Sequence, residues 1–214
     1  MYLVSRPEMV YFRMMIRKKR DLHRYAVFCG SSKGNGEIYG KQAYELGHTL
    51  AREGKSVVYG GARVGLMGQL AGGTIDGGGH ITGVIPGFLK EREIVHEGLN
   101  QLIQVESMHE RKQMMHQLSD AVIALPGGFG TLEELFEMLT WAQLGMHQKP
   151  VALLNVNGYY DALKQQADKM VQEGFLKPAN RQMLIIHSNI REMLRMMSEQ
   201  PIPHTDKWIN RDQW

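Results

Sequence analysis

Along the chain, short continuous apolar runs alternate with stretches in which apolar residues recur every three or four positions. The runs fall at 25–29, 56–59, 80–85, 102–105, 121–125 and 151–154 and are rich in Val, Ile, Ala and Leu. An unbroken run of this length suits a strand covered on both faces, as in a buried parallel sheet. Between the runs, 39–53 carries Ala43, Leu46, Leu50 and Ala51 at helical spacing, and 159–173 carries Leu163, Ala167 and Met170. Further helices are predicted from Ser107, over 132–144 and over 189–199. The order βαβα predicts an α/β fold: a doubly wound, Rossmann-like parallel sheet flanked by helices, in a single domain. That domain is expected at 25–199, between a basic N-terminal extension at 1–24 and a C-terminal tail at 200–214.

Composition narrows the picture from there. A length of 214 residues with 43% apolar content supports one core, and 25 Lys and Arg against 22 Asp and Glu leave a net charge of only +3. A balance so near neutral and so dispersed gives no reason to expect nucleic acid as a partner. No stretch approaches the roughly 20 apolar residues of a membrane helix, so no membrane association is expected. The first 24 residues hold seven Lys and Arg, and Arg13 interrupts their apolar segment, which argues against a signal peptide. Cys29 is the only cysteine. A disulfide framework or cysteine metal cage is thereby excluded, and a reducing, cytoplasmic setting is expected.

The 24 glycines concentrate after predicted strands, where ligands of open α/β sheets bind. Loops follow at 30–36, 60–68, 106–112 and 126–131. The first misses the G-x-G-x-x-G spacing and the second strand ends in Tyr59-Gly60 rather than an acid, so a dinucleotide cofactor is disfavoured. Gly54-Lys55-Ser56 precedes a strand instead of a helix and reads as a turn, not a phosphate loop. His109 and His116 are seven apart without a carboxylate arranged for zinc, so no metal is expected.

Pro126-Gly127-Gly128-Phe129-Gly130-Thr131 lies between a buried strand and a helix. Its amides and the positive end of the helix dipole converge on one point, which suits a phosphate. Glu134 admits two readings, since Thr131-Leu132-Glu133-Glu134 also has the form of a capping box, in which Glu134 would only return a hydrogen bond to the backbone. Glu133 and Glu137 are explicable as anions near a helix start. Arg111 shares a stripe with Met108, Met114, Met115 and Leu118, and a guanidinium on an apolar face near the strand ends points to a buried anion. Ser107 to Glu110 forms a second capping box.

With these residues in view, the chain resembles the LOG (Lonely guy) family. The signature P-G-G-x-G-T-x-x-E is met by Pro126, Gly127, Gly128, Gly130, Thr131 and Glu134, and an upstream H-E-R-K by His109 to Lys112. Gly30-Ser31-Ser32, the 61–68 loop, Arg92-Glu93-Ile94 and Thr140 to Gly145 match as well. The resemblance implies hydrolysis of the N-glycosidic bond of a nucleoside 5′-monophosphate of adenosine type, giving free base and ribose 5-phosphate, without metal or redox cofactor. It implies Arg111 and Glu134 as the catalytic pair. Gly127, Gly128, Phe129, Gly130 and Thr131 would hold the 5′-phosphate, with Glu93, Lys112, Glu133 and Thr140 lining the rest of the substrate site. It implies a homodimer with the site near the interface. The alternatives are a non-catalytic nucleotide or molybdenum-cofactor carrier, and a nucleosidase of broader specificity. A lysine decarboxylase reading, a label also attached to the family, would need a pyridoxal site for which the sequence offers no context.

Overall fold

In a computed structural model, residues 19–90 and 95–201 are described. The apolar runs form strands β1 (Arg24–Phe28), β2 (Ser56–Tyr59), β3 (Ile81–Pro86), β4 (Gln101–Val105), β5 (Ala121–Ala124) and β6 (Val151–Leu154), joined by a seventh, β7 (Leu184–His187). All pair in parallel in the order β4-β3-β2-β1-β5-β6-β7. The chain winds outward from β1 to β4, returns to lay β5 against the free side of β1, and winds outward again. Its direction therefore reverses between β1 and β5, the place where such sheets open a crevice at the strands' carboxyl ends.

The helices are α1 (Glu37–Arg52), α2 (Gly65–Asp76), the single turn α3 (Gly87–Lys90), α4 (Met108–Gln117), α5 (Phe129–Gln143), α6 (Asp161–Gln172), the short α7 (Pro178–Arg181) and α8 (Ile190–Glu199). Alternate strand residues face opposite sides. Tyr25, Val27, Val57 and Ile123 meet α1, α2 and α8 through Leu46, Leu50, Leu70 and Met193. Ala26, Phe28, Val58 and Val122 meet α4, α5 and α6 through Met115, Leu135, Met138 and Leu163. The sheet thus separates two apolar layers.

Several elements differ from the pattern-based expectation. β7 and α2 were not anticipated. β7 is a four-residue run of Leu, Ile, Ile and His, too short for periodicity to show. α2 begins inside the second glycine loop, where Gly65, Gly68, Gly72 and Gly73 interrupt the apolar pattern, and Leu66, Leu70 and Ala71 are enclosed. β4 is a half-exposed edge strand rather than a buried one. The helix expected over 132–144 starts at Phe129 with Gly128 as its N-cap and no side-chain cap. Thr131 is therefore inside the first turn and buried, and the capping box proposed for Glu134 does not form. On α5 the core face is Leu135, Met138 and Ala142, while Phe136 is exposed. Half of the capping box at Ser107 forms: its Oγ accepts from the Glu110 amide at 3.1 Å, while Glu110 Oε2 accepts at 2.8 Å from the amide of Glu106, one residue before the cap. Residues 19–23 lie against the domain, with Leu22 buried and the Arg20 guanidinium donating to the carbonyls of Gln148, Gln200 and Pro201.

Candidate active site

Three glycine loops meet where β1, β2 and β5 end. The Gly30 amide donates to the Pro126 carbonyl at 3.0 Å, and the Leu66 amide donates to the Gly30 carbonyl at 3.0 Å. Gly65 has φ +58°, and a Cβ there would overlap the Ser31 backbone, so only glycine lets the second loop close on the first. Between the loops lies a pocket of about 320 Å³, walled by Gly30 to Gly34, Tyr39, Pro126 to Gly128 and Tyr159. At its floor α5 begins with a glycine cap, so the first-turn amides and the positive dipole end are left for an anion. Phe129, in the middle of that turn, is 94% exposed and points away from the fold.

Arg111 and Glu134 come from facing helices on the same side of the sheet. Arg111, only 6% exposed, donates from Nε to the Val84 carbonyl at 3.0 Å and from Nη2 to the Gly60 carbonyl at 2.9 Å. Gly60 makes room for this, because a Cβ there would overlap Nη2. The guanidinium is thus fixed across the ends of β2 and β3 by two carbonyls, and its charge acts on the nearby Glu134 carboxyl. Burial of the half-buried Glu134 pushes its pKa up to about 7, a rise that Arg111 and Lys112 oppose and Glu133 and Glu137 reinforce. Near neutrality this carboxyl exists in both forms. Cys29, at the end of β1, senses both members of the pair, and burial pushes its thiol up, out of the nucleophilic range.

Lys112 follows Arg111 into the interior and pairs with Glu133 and, at 3.1 Å, with Glu137 Oε2. Burial disfavours its charge, but the two carboxylates outweigh that and raise its pKa. Lys112 and Glu133 are therefore engaged with each other, tying α4 to α5 beside Glu134. Glu137 was not expected in this group. Thr140 is exposed about two turns of α5 beyond Glu133, on the same helix face, and donates to the Phe136 carbonyl at 2.7 Å. Glu93 lies outside the described residues, although the bridge between Ala62 and Val95 anchors the chain immediately after it to the second loop. No group of three or more His, Cys, Asp or Glu is placed to hold a metal among the described residues. A wider cavity, about 1000 Å³, lies at the opposite, amino end of the sheet beside His116, Trp141, His147 and Lys149, away from the pair.

Reasoning from sequence missed Tyr159 and Tyr160. Both come from the turn after β6, and their hydroxyls donate to the carbonyls of Gly127 at 2.6 Å and Leu125 at 2.7 Å. Two adjacent aromatics with polar tips after a strand were the available signal.

Comparison with known proteins supplies the context. The family described as "Possible lysine decarboxylase" matches residues 67–197. The chain is 44% identical over 200 residues to cytokinin riboside 5′-monophosphate phosphoribohydrolase LOG2 of Arabidopsis thaliana, covering 94% of this chain and 93% of that one. It is 48% identical over 183 residues to the probable phosphoribohydrolase LOGL1 of Oryza sativa subsp. japonica, covering 86% and 82%. Among solved structures, a molybdenum cofactor binding protein of Rippkaea orientalis superposes with a TM-score of 0.63 at 25% identity, covering 82% of this chain and 95% of that one. The molybdenum cofactor carrier protein of Chlamydomonas reinhardtii gives 0.62 at 18% identity, covering 84% and 98%, a likeness of fold.

Proposed function

The chain belongs to the LOG family, the family whose sequence description reads possible lysine decarboxylase, and on that footing we propose how it works as a cytokinin riboside 5′-monophosphate phosphoribohydrolase. The reaction is hydrolysis: the bond between ribose C1′ and the base nitrogen breaks, its electron pair leaves with the base, and water supplies hydroxide to C1′ and a proton to the base. The 5′-phosphate sits on the α5 amides between the glycine loops, which fixes the ribose over the Arg111 and Glu134 pair. As C1′ becomes cation-like, the ionised Glu134 stabilises it, orients the water and takes its proton as general base. Arg111, already immobilised by two carbonyls, holds Glu134 and the ligand's oxygens in place.

The observation that carries this reading is a buried arginine, fixed by two carbonyls, on the helix facing the one that carries the half-buried Glu134 near the glycine-capped start of α5, with burial raising that carboxyl's proton affinity. Such tuning is what acid and base chemistry at neutral pH requires, and a carrier has no use for it. The reading is tested by incubating the protein with AMP, a prenylated adenosine 5′-monophosphate and adenosine, and measuring free base. Both monophosphates should be cleaved and adenosine should not, because the phosphate's binding energy orients the sugar; comparable turnover of adenosine and AMP would overturn it.

We place the protein in the cytoplasm as a homodimer with the site near the interface. The single cysteine supports the compartment. Exposed Phe129 and Phe136 on α5, next to the site, support the dimer. No helix among the described residues is long and apolar enough to cross a membrane.

A further inference from the structure

We propose that Tyr159 is a positioning residue that sets the protein's affinity for the 5′-phosphate, by holding the Gly127 carbonyl turned away from the anion. The inference rests on the phosphate cradle proposed above and assigns a role to a residue outside the family signature.

A loop that binds an anion must present N–H groups and keep its carbonyl oxygens aside, since each carbonyl facing a phosphate repels it. At the root of this loop three successive carbonyls are each taken by a donor from elsewhere. Leu125 O accepts from Tyr160 Oη at 2.7 Å, Pro126 O from the Gly30 amide at 3.0 Å, and Gly127 O from Tyr159 Oη at 2.6 Å. In a planar trans peptide the N–H points opposite to the C=O. Holding the Gly127 carbonyl therefore also fixes the direction of the Gly128 N–H, at the N-cap of α5.

The turn that supplies the two tyrosines is built for the purpose. Asn157 has φ +49°, a left-handed conformation unique to it among the described non-glycine residues, and Gly158 follows at +71°. The Asn155 side chain fixes the turn, accepting from the Tyr160 amide and donating to Asp161 Oδ1, both at 2.7 Å. The result sends Tyr160 into the core and leaves Tyr159 half exposed on the pocket wall, edge-on to Tyr39 with ring centroids 6.0 Å apart. An exposed hydroxyl adds little to folding, because water can replace it. Its one proton is committed to Gly127, so it acts through the loop rather than on the phosphate itself.

The test compares the parent with Tyr159→Phe, which removes the oxygen and keeps the ring against Tyr39. Calorimetric titration with ribose 5-phosphate should show binding weakened about tenfold, the KM for AMP should rise by a similar factor with kcat within about threefold, and Tm should stay unchanged. Unchanged affinity for ribose 5-phosphate in Tyr159→Phe, or no binding by the parent, would overturn the proposal, as would a loss confined to kcat. Because the titration needs no turnover, a protein that cleaves no nucleoside monophosphate would refute the catalytic reading while leaving the role of Tyr159 measurable.

Discussion

In the proposed mechanism the chemistry turns on one carboxyl group, that of Glu134, whose proton affinity burial raises. Since Glu134 is pushed up to about 7, chiefly by burial, and the proposed mechanism uses the ionised form, kcat/KM for AMP should fall as pH drops below about 7. The stability consequence has the opposite sense. A carboxyl with a folded-state pKa above its ordinary value of 4.5 favours the folded state while protonated, and this advantage is lost as pH rises from about 4.5 through about 7. Glu134→Gln mimics the protonated acid at every pH. It should lower turnover by a factor on the order of 10² with AMP binding largely kept. It should also melt a few degrees above the parent at pH 8 and alongside it at pH 4.5, as followed by calorimetry. A variant turning over at the parent rate would remove Glu134 from catalysis. Spacing alone could not separate catalyst from helix cap here, because Thr131 and Glu134 have the right offset for both; the difference lies in Gly128, which caps the helix three residues earlier than a threonine would.

At the scale of elements, α4 and α5 are held in register by Lys112, whose ammonium sits between Glu133 and Glu137, and this register brings Arg111 and Glu134 together. Lys112→Met keeps the length of the side chain but leaves the Glu137 carboxylate poorly exposed and without its partner. Stability should fall by on the order of 2 kcal/mol in urea titrations. Activity should fall further than the loss of folded protein accounts for, and equal losses would show that the clamp serves the fold alone. The elements that position the site were readable where the sequence carries a strong local signal. The runs ending at Cys29, Tyr59 and Leu125 announce buried strands, and Ser107 announces the helix that carries Arg111. What escaped notice depends on tertiary context. α2 has glycine at four of its twelve positions, which blurs its apolar stripe, and β7 is too brief to alternate. The Lys112 clamp joins side chains 21 and 25 positions apart, and the Tyr159 contact spans 32. No local pattern encodes such distances.

For the molecule as a whole, burial of neutral histidines sets an acid limit. Burial lowers His116 to about 3 and His147 to about 4, with Lys149 reinforcing both. Unfolding restores an ordinary pKa of 6.5, so their contribution is intact above 6.5 and is lost as pH falls from there toward 4. Each should cost about 1.4 kcal/mol by pH 5.5. In the Glu134→Gln background, where the opposing gain from that carboxyl is absent, the urea midpoint should therefore drop between pH 7 and pH 5.5, and a flat profile there would contradict the neutral assignment. The exposed face of α5 leads to a second expectation: light scattering at micromolar concentration should give a dimer, and Phe136→Arg should yield monomer, whereas a monomeric parent would refute the association. The strand order bears on a different moment in the protein's life, its emergence from the ribosome. Once Val105 has left the exit tunnel, β4, β3, β2 and β1 can assemble, yet the inner edge of β1 has no partner until Ala121 to Ala124 follow. During that interval the future centre of the sheet is an open apolar border, the kind of edge that recruits neighbouring chains. A nascent chain arrested between Val105 and Ala121 should accordingly bind chaperones or aggregate, and one released after β5 should not.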